Sequence, residues 1–361
     1  MSGEVTTGAI GKTGVTGKRG AGIAGTGSAV PEGILSNFDL EKMVDTSDAW
    51  IVERTGIRER RIAGASEATS DLAALAASRA LEDAGVSPGD VDLIIVATVT
   101  PDMIFPSTAC LVQARIGATR AAAFDISAGC SGFIYGVWTG AQFIASGTYD
   151  TVLVIGAETL SKITDFTNRN TCVLFGDGAG ACVLKAMEQG EGIVKTLLGA
   201  DGRRGDLLTV PAGGSRLPAS HETVDQRLHY IHMEGNKVYR FAVNILVDAC
   251  RWTLEAAGLS ESDIDYFIPH QANRRLIDIA AERLGVADRF YSNVEKYGNT
   301  SAASIPIALD EAARSGKISD GDLIMLVGFG AGLTWAASII RWCKGYFRAQ
   351  SRGCPEPARG D

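Results

Sequence analysis

Short apolar runs alternate with longer amphipathic segments along most of this chain. The runs 93–96 and 152–155 contain only apolar residues and follow closely after an aspartate, as strands buried on both faces of a sheet often do. Between such runs, apolar residues recur at helical spacing, as at Ile134, Val137 and Ala141. This alternation predicts an α/β protein in which helices cover mostly buried sheets.

The same pattern occurs twice, once in each half of the chain. Residues 81–92 end a predicted helix, pass a glycine and reach an aspartate before a strand, and residues 254–265 repeat this order 173 positions later. Two further strands begin near Asp150 and Asp322, which are 172 positions apart. Such a period is too long for a solenoid and indicates a duplicated α/β domain.

The duplication divides the chain into four segments. Residues 1–20 are rich in Gly, Thr and Lys without periodicity, so we expect a flexible leader there. Residues 21–190 and 191–342 are predicted to form the two similar α/β halves. We expect residues 343–361 to be a loosely ordered tail.

Composition narrows the class of protein. The 361 residues are 46 % hydrophobic, enough for a large core, and the net charge of −8 argues against a nucleic-acid-binding protein. No apolar run is long enough to cross a membrane and no signal peptide is recognisable, so we expect a cytoplasmic protein without membrane insertion. The seven cysteines lack C-x-x-C pairs and the four histidines form no H-E-x-x-H motif, which argues against a metal site.

The first candidate for chemistry is Cys130. The segment 123–133 has the pattern of a strand that breaks into small residues just before a helix. A thiol at a helix N-terminus faces unpaired backbone N–H groups, which favour the thiolate. A cysteine flanked by small residues is often only a packing residue, but the strand-to-helix context predicts a nucleophile.

Two residues of the second half complete a candidate site. His270 follows the predicted strand 266–268, at the sheet edge where α/β proteins place ligands. Asn299 lies in the triplet 298–300, which we align with 129–131 at an offset of 169. Taken singly, the histidine could be structural and the asparagine a turn residue. Together they can donate hydrogen bonds to developing negative charge next to Cys130.

Several longer motifs resemble the thiolase superfamily, and within it the β-ketoacyl-acyl carrier protein synthase III family. The resemblance extends over residues 22–342 and is carried by the segments 45–60, 123–133, 175–181, 269–273, 298–304 and 328–335. It implies a duplicated thiolase-like fold with five layers in the order α-β-α-β-α. Each of its two similar halves would contain a mixed five-stranded sheet.

The resemblance also implies the initiating condensation of type II fatty-acid synthesis. Cys130 would attack an acyl-CoA thioester, with the backbone N–H groups of Cys130 and Ala331 as the oxyanion hole, although many family members have glycine at position 331. Malonyl-acyl carrier protein would then enter, and His270 and Asn299 would hydrogen-bond its thioester oxygen as carbon dioxide departs. The resulting enolate attacks the acyl group and gives 3-oxoacyl-acyl carrier protein, without any metal or organic cofactor.

Several residues match positions that contact CoA in the family. The resemblance implies that Trp50 and Arg169 enclose the adenine of CoA, with Arg54 nearby. Asn236 and Asn273 would line the tunnel for the pantetheine arm. Each of these residue types also has an ordinary structural use, which for Trp50 is packing on a helix face.

Further positions concern the acyl group and the partners. Phe105 would cross a homodimer interface to form a wall of the acyl pocket, and Phe329 is assigned to the same pocket. A basic patch for the acidic carrier protein would consist of Arg240, Arg274, Arg275 and Arg283. The family pattern has another basic residue near Glu282, and this acidic replacement would weaken or redirect docking.

Three alternatives differ from this interpretation. A related enzyme could prime a polyketide or other secondary pathway, or transfer acyl groups without decarboxylation. A catalytically inactive partner subunit would lack the nucleophile, and Cys130 argues against that. A dinucleotide-binding dehydrogenase is disfavoured because the glycine-rich segments 176–180 and 328–332 lack G-x-G-x-x-G spacing. The acyl starter is not predicted by the sequence.

Overall fold

The computed structural model describes residues 19–351, and its elements follow the predicted alternation. The strands of this part of the chain are β1 (Arg19–Ala29), β2 (Ile34–Ser36), β3 (Glu59–Arg61), β4 (Leu93–Ala97), β5 (Ala122–Ile126), β6 (Thr151–Thr159), β7 (Asp177–Glu188), β8 (Ile193–Ala200), β9 (Leu208–Thr209), β10 (His232–Met233), β11 (Tyr266–Pro269), β12 (Leu323–Gly330) and β13 (Thr334–Arg341). The helices are α1 (Asn37–Leu40), α2 (Asp48–Thr55), α3 (Thr69–Ala84), α4 (Thr108–Ile116), α5 (Gly132–Ala145), α6 (Arg169–Cys172), α7 (His221–Asp225), α8 (Gly235–Ala257), α9 (Arg274–Leu284), α10 (Val294–Tyr297), α11 (Ser304–Arg314) and α12 (Lys344–Ser351).

Two mixed sheets form the frame. The first has the strand order β1-β7-β6-β4-β5, with β4 parallel to both of its neighbours and β7 antiparallel to β6 and β1. The second has the order β8-β13-β12-β11, with β11 parallel to β12 and β13 antiparallel to its neighbours. The two orders correspond strand for strand, as expected for a duplicated domain.

The second sheet departs from the expectation of five strands in each half. It has four strands within the described residues, and the position equivalent to β5 is reduced to a single parallel bridge between Phe267 and Phe290. The N–H of Tyr291 donates to the carbonyl of Phe267 at 2.9 Å, while the Phe290 ring stacks on that of Phe267. Ring stacking replaces a longer hydrogen-bonded ladder at this edge.

Helices complete the five layers. The α5 and α11 helices lie between the two sheets, and their apolar residues share one core with strands of both sheets. The α3 and α4 helices cover the outer face of the first sheet, and α8 and α9 cover that of the second. The order α-β-α-β-α therefore holds, and the first turns of α5 and α11 meet in the central layer.

A glycine row lets α5 approach the first sheet closely. A Cβ atom on Gly136 would lie 2.8 Å from a methyl carbon of Val154, and one on Gly140 would lie 2.9 Å from a methyl carbon of Val152. These glycines are one helical turn apart and face the same strand, β6. The close contact fixes the height of the α5 N-terminus above the sheet.

The two ends of the chain differ from the expected leader and tail. Residues 19 and 20 already belong to β1, while the rest of the leader, residues 1–18, lies outside the described residues. Residues 344–351 form α12, with Phe347 buried and Lys344 paired with Asp83, so this part of the expected tail is docked and ordered. Residues 352–361 lie outside the described residues. No helix within 19–351 is long and apolar enough to span a bilayer.

Candidate active site

The N-termini of the two central helices place the candidate residues. Cys130 lies in the short 3-10 turn Gly129–Ser131 that leads into α5, and the equivalent turn Ser301–Ala303 leads into α11. The two helices begin 172 residues apart, so Ser301 and not Gly298 corresponds to Gly129. Both equivalent residues have positive φ angles, 55° for Gly129 and 49° for Ser301. The sequence alignment of 129–131 with 298–300 was three residues out of register, and Asn299 precedes the turn.

Close backbone contact brings Ala331 next to Cys130. A Cβ atom on Gly129 would lie 2.8 Å from the backbone nitrogen of Ala331, and one on Gly330 would overlap the backbone nitrogen of Cys130. The Thr334 hydroxyl donates to the carbonyl of Ala128 at 2.8 Å and ties the two loops together. The backbones of Cys130 and Ala331 therefore lie side by side, as an oxyanion hole requires.

His270 follows β11 and is 1 % exposed. Its Nδ1 lies 2.6 Å from the hydroxyl of Ser304, which also accepts from the N–H of Gln271 at 3.3 Å. In the tautomer with the proton on Nε2, the Ser304 hydroxyl donates to Nδ1 and the Nε2–H group is left to donate into the cavity. Burial lowers the pKa of His270 to about 3, so the ring is neutral. The Phe329 ring packs edge-on against it, with 5.4 Å between centroids.

Asn299 is held by a short parallel bridge to the segment around Phe175. Its N–H donates to the carbonyl of Leu174 at 2.8 Å, and its carbonyl accepts from the N–H of Gly176 at 3.0 Å. Its side-chain Oδ1 accepts from the N–H of Ser301 at 2.8 Å. This fixes the amide so that its NH₂ group is left to donate.

The thiol of Cys130 is only 8 % exposed, and its environment differs from the sequence expectation. We expected the helix N-terminus to favour the thiolate. Instead, burial raises the pKa of Cys130 to about 12, with a further contribution from the negative charge of Glu158. A hydrogen bond from Ser301 offsets only part of this. The resting thiol is protonated, because desolvation outweighs the helix end.

A cavity of about 350 Å³ connects these residues with the surface. Cys130, His270 and Asn299 line it together with Phe329, so the structure brings the predicted set to one site. Towards the mouth it is lined by four of the residues assigned to CoA and to the carrier protein, namely Arg54, Asn236, Asn273 and Arg275. Its walls include residues that the sequence analysis did not single out: Leu208, Met233, Tyr239, Ala242, Ala272 and Leu276.

Trp50 lies beside this mouth between two arginines. The guanidinium carbons of Arg54 and Arg169 lie 4.9 Å and 5.1 Å from the centre of its indole ring. A planar base between Trp50 and Arg169 needs roughly 7 Å, two van der Waals contacts of about 3.5 Å each. Arg169 also donates to the carbonyl of Asp45 at 2.7 Å, so it has to leave that carbonyl before a base can enter.

A second, apolar pocket of about 230 Å³ adjoins Cys130 on another side. Its lining includes Val99, Leu160, Ile163, Phe175, Leu208 and Ile231. Neither residue assigned to the acyl pocket lines it in the single chain. Phe329 lines the larger cavity instead, because it extends from β12 towards His270. Phe105 is 82 % exposed on the loop before α4. The apolar residues Leu160 and Ile163, which follow β6, are the feature of the sequence from which this pocket could have been predicted.

The four arginines assigned to docking are exposed residues of α8 and α9. Arg275 lines the cavity mouth, whereas Arg274 pairs with Asp278 at 2.7 Å one turn further along its own helix. Arg283 donates to the side chain of Asn244 at 3.1 Å and so links α9 to α8. Arg240 is on α8. The patch therefore extends along one helix pair beside the mouth. Within residues 19–351, no three metal-binding side chains come together.

Comparisons with known proteins agree with this geometry. Residues 124–202 match the family model described as 3-Oxoacyl-[acyl-carrier-protein (ACP)] synthase III, and residues 254–342 match its C-terminal counterpart. A β-ketoacyl-[acyl-carrier-protein] synthase III of Caldanaerobacter subterraneus subsp. tengcongensis is 63 % identical over 328 residues, covering 91 % of this chain and 99 % of the relative.

Solved structures give the same result. The 3-oxoacyl-[acyl-carrier-protein] synthase III of Aquifex aeolicus is 48 % identical with a TM-score of 0.82, over 90 % of this chain and 100 % of that one. The priming β-ketosynthase of the R1128 polyketide pathway is 36 % identical with a TM-score of 0.84, over 91 % and 97 %. The similarity to these relatives agrees with the fold of two duplicated halves and with the buried cysteine at the start of a central helix. It shows that the chain belongs to the 3-oxoacyl-[acyl-carrier-protein] synthase III family.

Proposed function

We propose that Cys130 carries the acyl group in the initiating condensation of fatty-acid synthesis, with His270 and Asn299 as the donors that stabilise the enolate. Membership of the family makes the chain an acyltransferase of the condensing type. The observation that carries the residue assignment is the shared cavity, which is lined by the Cys130 thiol, by the His270 imidazole with its Nδ1 held by Ser304, and by the Asn299 amide with its Oδ1 held by the Ser301 N–H.

The first step is transfer of an acyl group from CoA. The Cys130 sulfur attacks the thioester carbon, and the carbonyl oxygen becomes negative in the tetrahedral intermediate. The adjacent N–H groups of Cys130 and Ala331 are placed to stabilise that charge in a site from which burial excludes most water. The carbon–sulfur bond to CoA then breaks, which leaves an acyl thioester on Cys130.

The second step is decarboxylative condensation with malonyl-acyl carrier protein. Loss of carbon dioxide leaves an enolate, whose oxygen accepts hydrogen bonds from Nε2 of His270 and the NH₂ of Asn299. A neutral imidazole suits this role, because its donated proton stays on the ring. The enolate carbon attacks the acyl carbonyl, and Cys130 leaves as the product is released.

The two openings beside Cys130 suit different parts of the substrates. The polar-mouthed cavity suits the pantetheine arm of CoA or carrier protein, with Trp50 and the neighbouring arginines available for the adenine. The apolar pocket suits a short acyl chain. The enzyme needs no metal or organic cofactor for either step, since the reacting groups are its own thiol, imidazole and amide.

A homodimer would complete the acyl pocket. The loop before α4 exposes Met103, Ile104 and Phe105 at 47 %, 83 % and 82 %, an unusual amount of apolar surface, and it follows shortly in sequence after Val99, which lines the apolar pocket. We assign a second copy of this chain as the partner that covers this loop. The carrier protein would dock on the arginines of α8 and α9. The proposed location of the reaction is the cytoplasm.

The polyketide alternative is not favoured. The relative with 63 % identity is named β-ketoacyl-[acyl-carrier-protein] synthase III, whereas the priming β-ketosynthase of the polyketide pathway is only 36 % identical.

Acyl labelling tests the assignment. Incubation with radiolabelled acetyl-CoA or isobutyryl-CoA is expected to label Cys130, and Cys130→Ser is expected to abolish the label. His270→Ala and Asn299→Ala are expected to accept the acyl group yet lose at least about 100-fold in condensation. Label that persists in Cys130→Ser would contradict the role of the thiol. Normal condensation in either other variant would contradict the role of that donor.

A further inference from the structure

Arg60 is a buried cation for which the reaction above provides no role. It is the middle residue of β3 and is fully buried. Its guanidinium donates to the carbonyl of Leu35 at 3.1 Å, to Oδ1 of Asn37 at 2.9 Å and to the carbonyl of Val173 at 2.8 Å. These acceptors are all uncharged. A buried cation that donates to neutral oxygens is costly, and such groups are concentrated at functional sites.

The hydrogen bond to Asn37 leads to α2, the helix assigned to the adenine of CoA. Asn37 is fully buried, and its NH₂ group donates to the Asp48 carboxylate at 2.9 Å and to the carbonyl of Ile57 at 2.8 Å. Asp48 is the first residue of α2, and Ile57 follows the glycine that caps its end. Arg60 therefore holds the amide that fixes both ends of this helix, and with it the position of Trp50.

The hydrogen bond to Val173 leads to the other adenine residue and to the catalytic amide. Val173 directly follows α6, the short helix that begins with Arg169. The carbonyl of the next residue, Leu174, accepts from the N–H of Asn299 at 2.8 Å. Arg60 thus fixes the backbone between the residue assigned to the adenine and the residue assigned to the enolate.

The aliphatic part of Arg60 lies against the backbone on both sides of Asn299. A Cβ atom on Gly176 would lie 3.1 Å from the Cβ atom of Arg60, and one on Gly298 would lie 3.3 Å from it. Gly298 directly precedes Asn299, and the N–H of Gly176 donates to the carbonyl of Asn299 at 3.0 Å. Any shift of the Arg60 side chain would therefore be passed on to the backbone of Asn299.

We propose that Arg60 is a positioning residue that holds the adenine-binding helix α2 and the amide of Asn299 in a fixed relation to each other. It does not line the cavity, so it acts through the groups it holds. The residue type suits this role, because a planar guanidinium donates in several fixed directions and can join three separate segments of the chain. The proposal rests on the function proposed above.

The two steps of the reaction separate the two effects, because acyl-CoA contains adenine and malonyl-acyl carrier protein does not. Arg60→Met keeps the aliphatic part and removes the donors. Acylation by acetyl-CoA or isobutyryl-CoA is followed by the mass of the intact protein, and its half-saturating concentration is expected to rise about 10-fold at a nearly unchanged maximal rate. The pantetheine thioester of the same acyl group lacks adenine and is expected to acylate this variant as it does the wild type.

Condensation is then measured separately, from protein already acylated on Cys130. At saturating malonyl-acyl carrier protein, Arg60→Met is expected to react about 10-fold to 100-fold more slowly, because the NH₂ group of Asn299 is displaced. Asn37→Ala interrupts only the connection to α2, so it is expected to weaken the use of acyl-CoA and to leave condensation unchanged. Arg61→Met is the matched control on the same strand, and it is expected to behave as the wild type in both steps.

Each outcome decides between distinct conclusions. Wild-type behaviour of Arg60→Met in both steps would overturn the proposal, and a change in only one step would overturn the link between the two sites. An equal loss in every assay, the pantetheine thioester included, would indicate a structural role only and would also overturn it. If Arg60→Met does not fold, as judged by its melting temperature, Arg60→Lys decides in its place, because lysine keeps the charge without the planar donors. Wild-type protein that is never acylated on Cys130 would overturn the proposed function instead.

Discussion

At the scale of single residues, burial decides the chemistry of this site. Cys130 and His270 both lose water in the same cavity, which raises the pKa of the thiol and lowers that of the imidazole. Both groups are consequently neutral near pH 7. The site therefore favours a mechanism in which charge develops only during reaction, next to donors that are already oriented.

Substitution of Gly129 tests the backbone contact that forms the oxyanion hole. Gly129→Ala would place a Cβ atom 2.8 Å from the nitrogen of Ala331, so we expect acylation by acyl-CoA to fall about 100-fold. Gly85→Ala is a matched control, because Gly85 has a similar φ of 63° and nothing within 4 Å of an added Cβ atom. That control is expected to cost about 1 kcal/mol of stability without affecting acylation. Equal acylation rates in the two variants would contradict the proposed contact.

At the scale of elements, the position of Cys130 depends on how closely α5 packs on β6. The sequence pattern indicated a helix and a strand, but the glycine row that joins them is recognisable only from their contact. Gly140 faces Val152 across this interface, and neither residue is close to the cavity. The packing can therefore be perturbed without touching the site.

A double-mutant cycle measures this packing. Gly140→Ala adds a methyl group 2.9 Å from Val152, and we expect it to lower the free energy of unfolding by about 1–3 kcal/mol. Val152→Ala removes the opposing methyl groups and should cost about 1–2 kcal/mol alone. The double variant is expected to be more stable than the sum of the two losses predicts, by at least about 0.5 kcal/mol in urea denaturation. Simple additivity would show that the two residues do not compete for space.

At the scale of the whole molecule, the site belongs to neither half alone. Cys130 comes from the first half, whereas His270 and Asn299 come from the second. The parallel bridge between Asn299 and Phe175 joins the second half to the first. Folding of the site therefore requires the two sheets to assemble around α5 and α11. A neutral histidine buried at that junction makes the stability of the whole molecule depend on pH.

The pH dependence has a definite sign. An unfolded chain protonates His270 as the pH falls through its ordinary value of 6.5, whereas the buried ring has a pKa of about 3 and stays neutral. Stability is therefore unaffected above pH 6.5 and declines between 6.5 and 3. In His270→Asn, the drop in the free energy of unfolding from pH 7 to pH 5 should be smaller by about 2 kcal/mol, as measured in urea. An unchanged difference would contradict burial of a neutral ring.

The sequence by itself determined the local elements, their duplication and the residue types of the site. Apolar runs and helical spacing reflect which positions of the chain are buried, and glycines mark the turns between elements. The sequence did not determine the register of the turn before α11 or which aromatic residue faces His270. It also did not determine that the fifth strand of the second sheet is reduced to a single bridge at Phe290. Those features depend on contacts between residues distant in the chain. The protonation states also follow from tertiary structure, because desolvation depends on what surrounds a side chain and not on its neighbours in sequence.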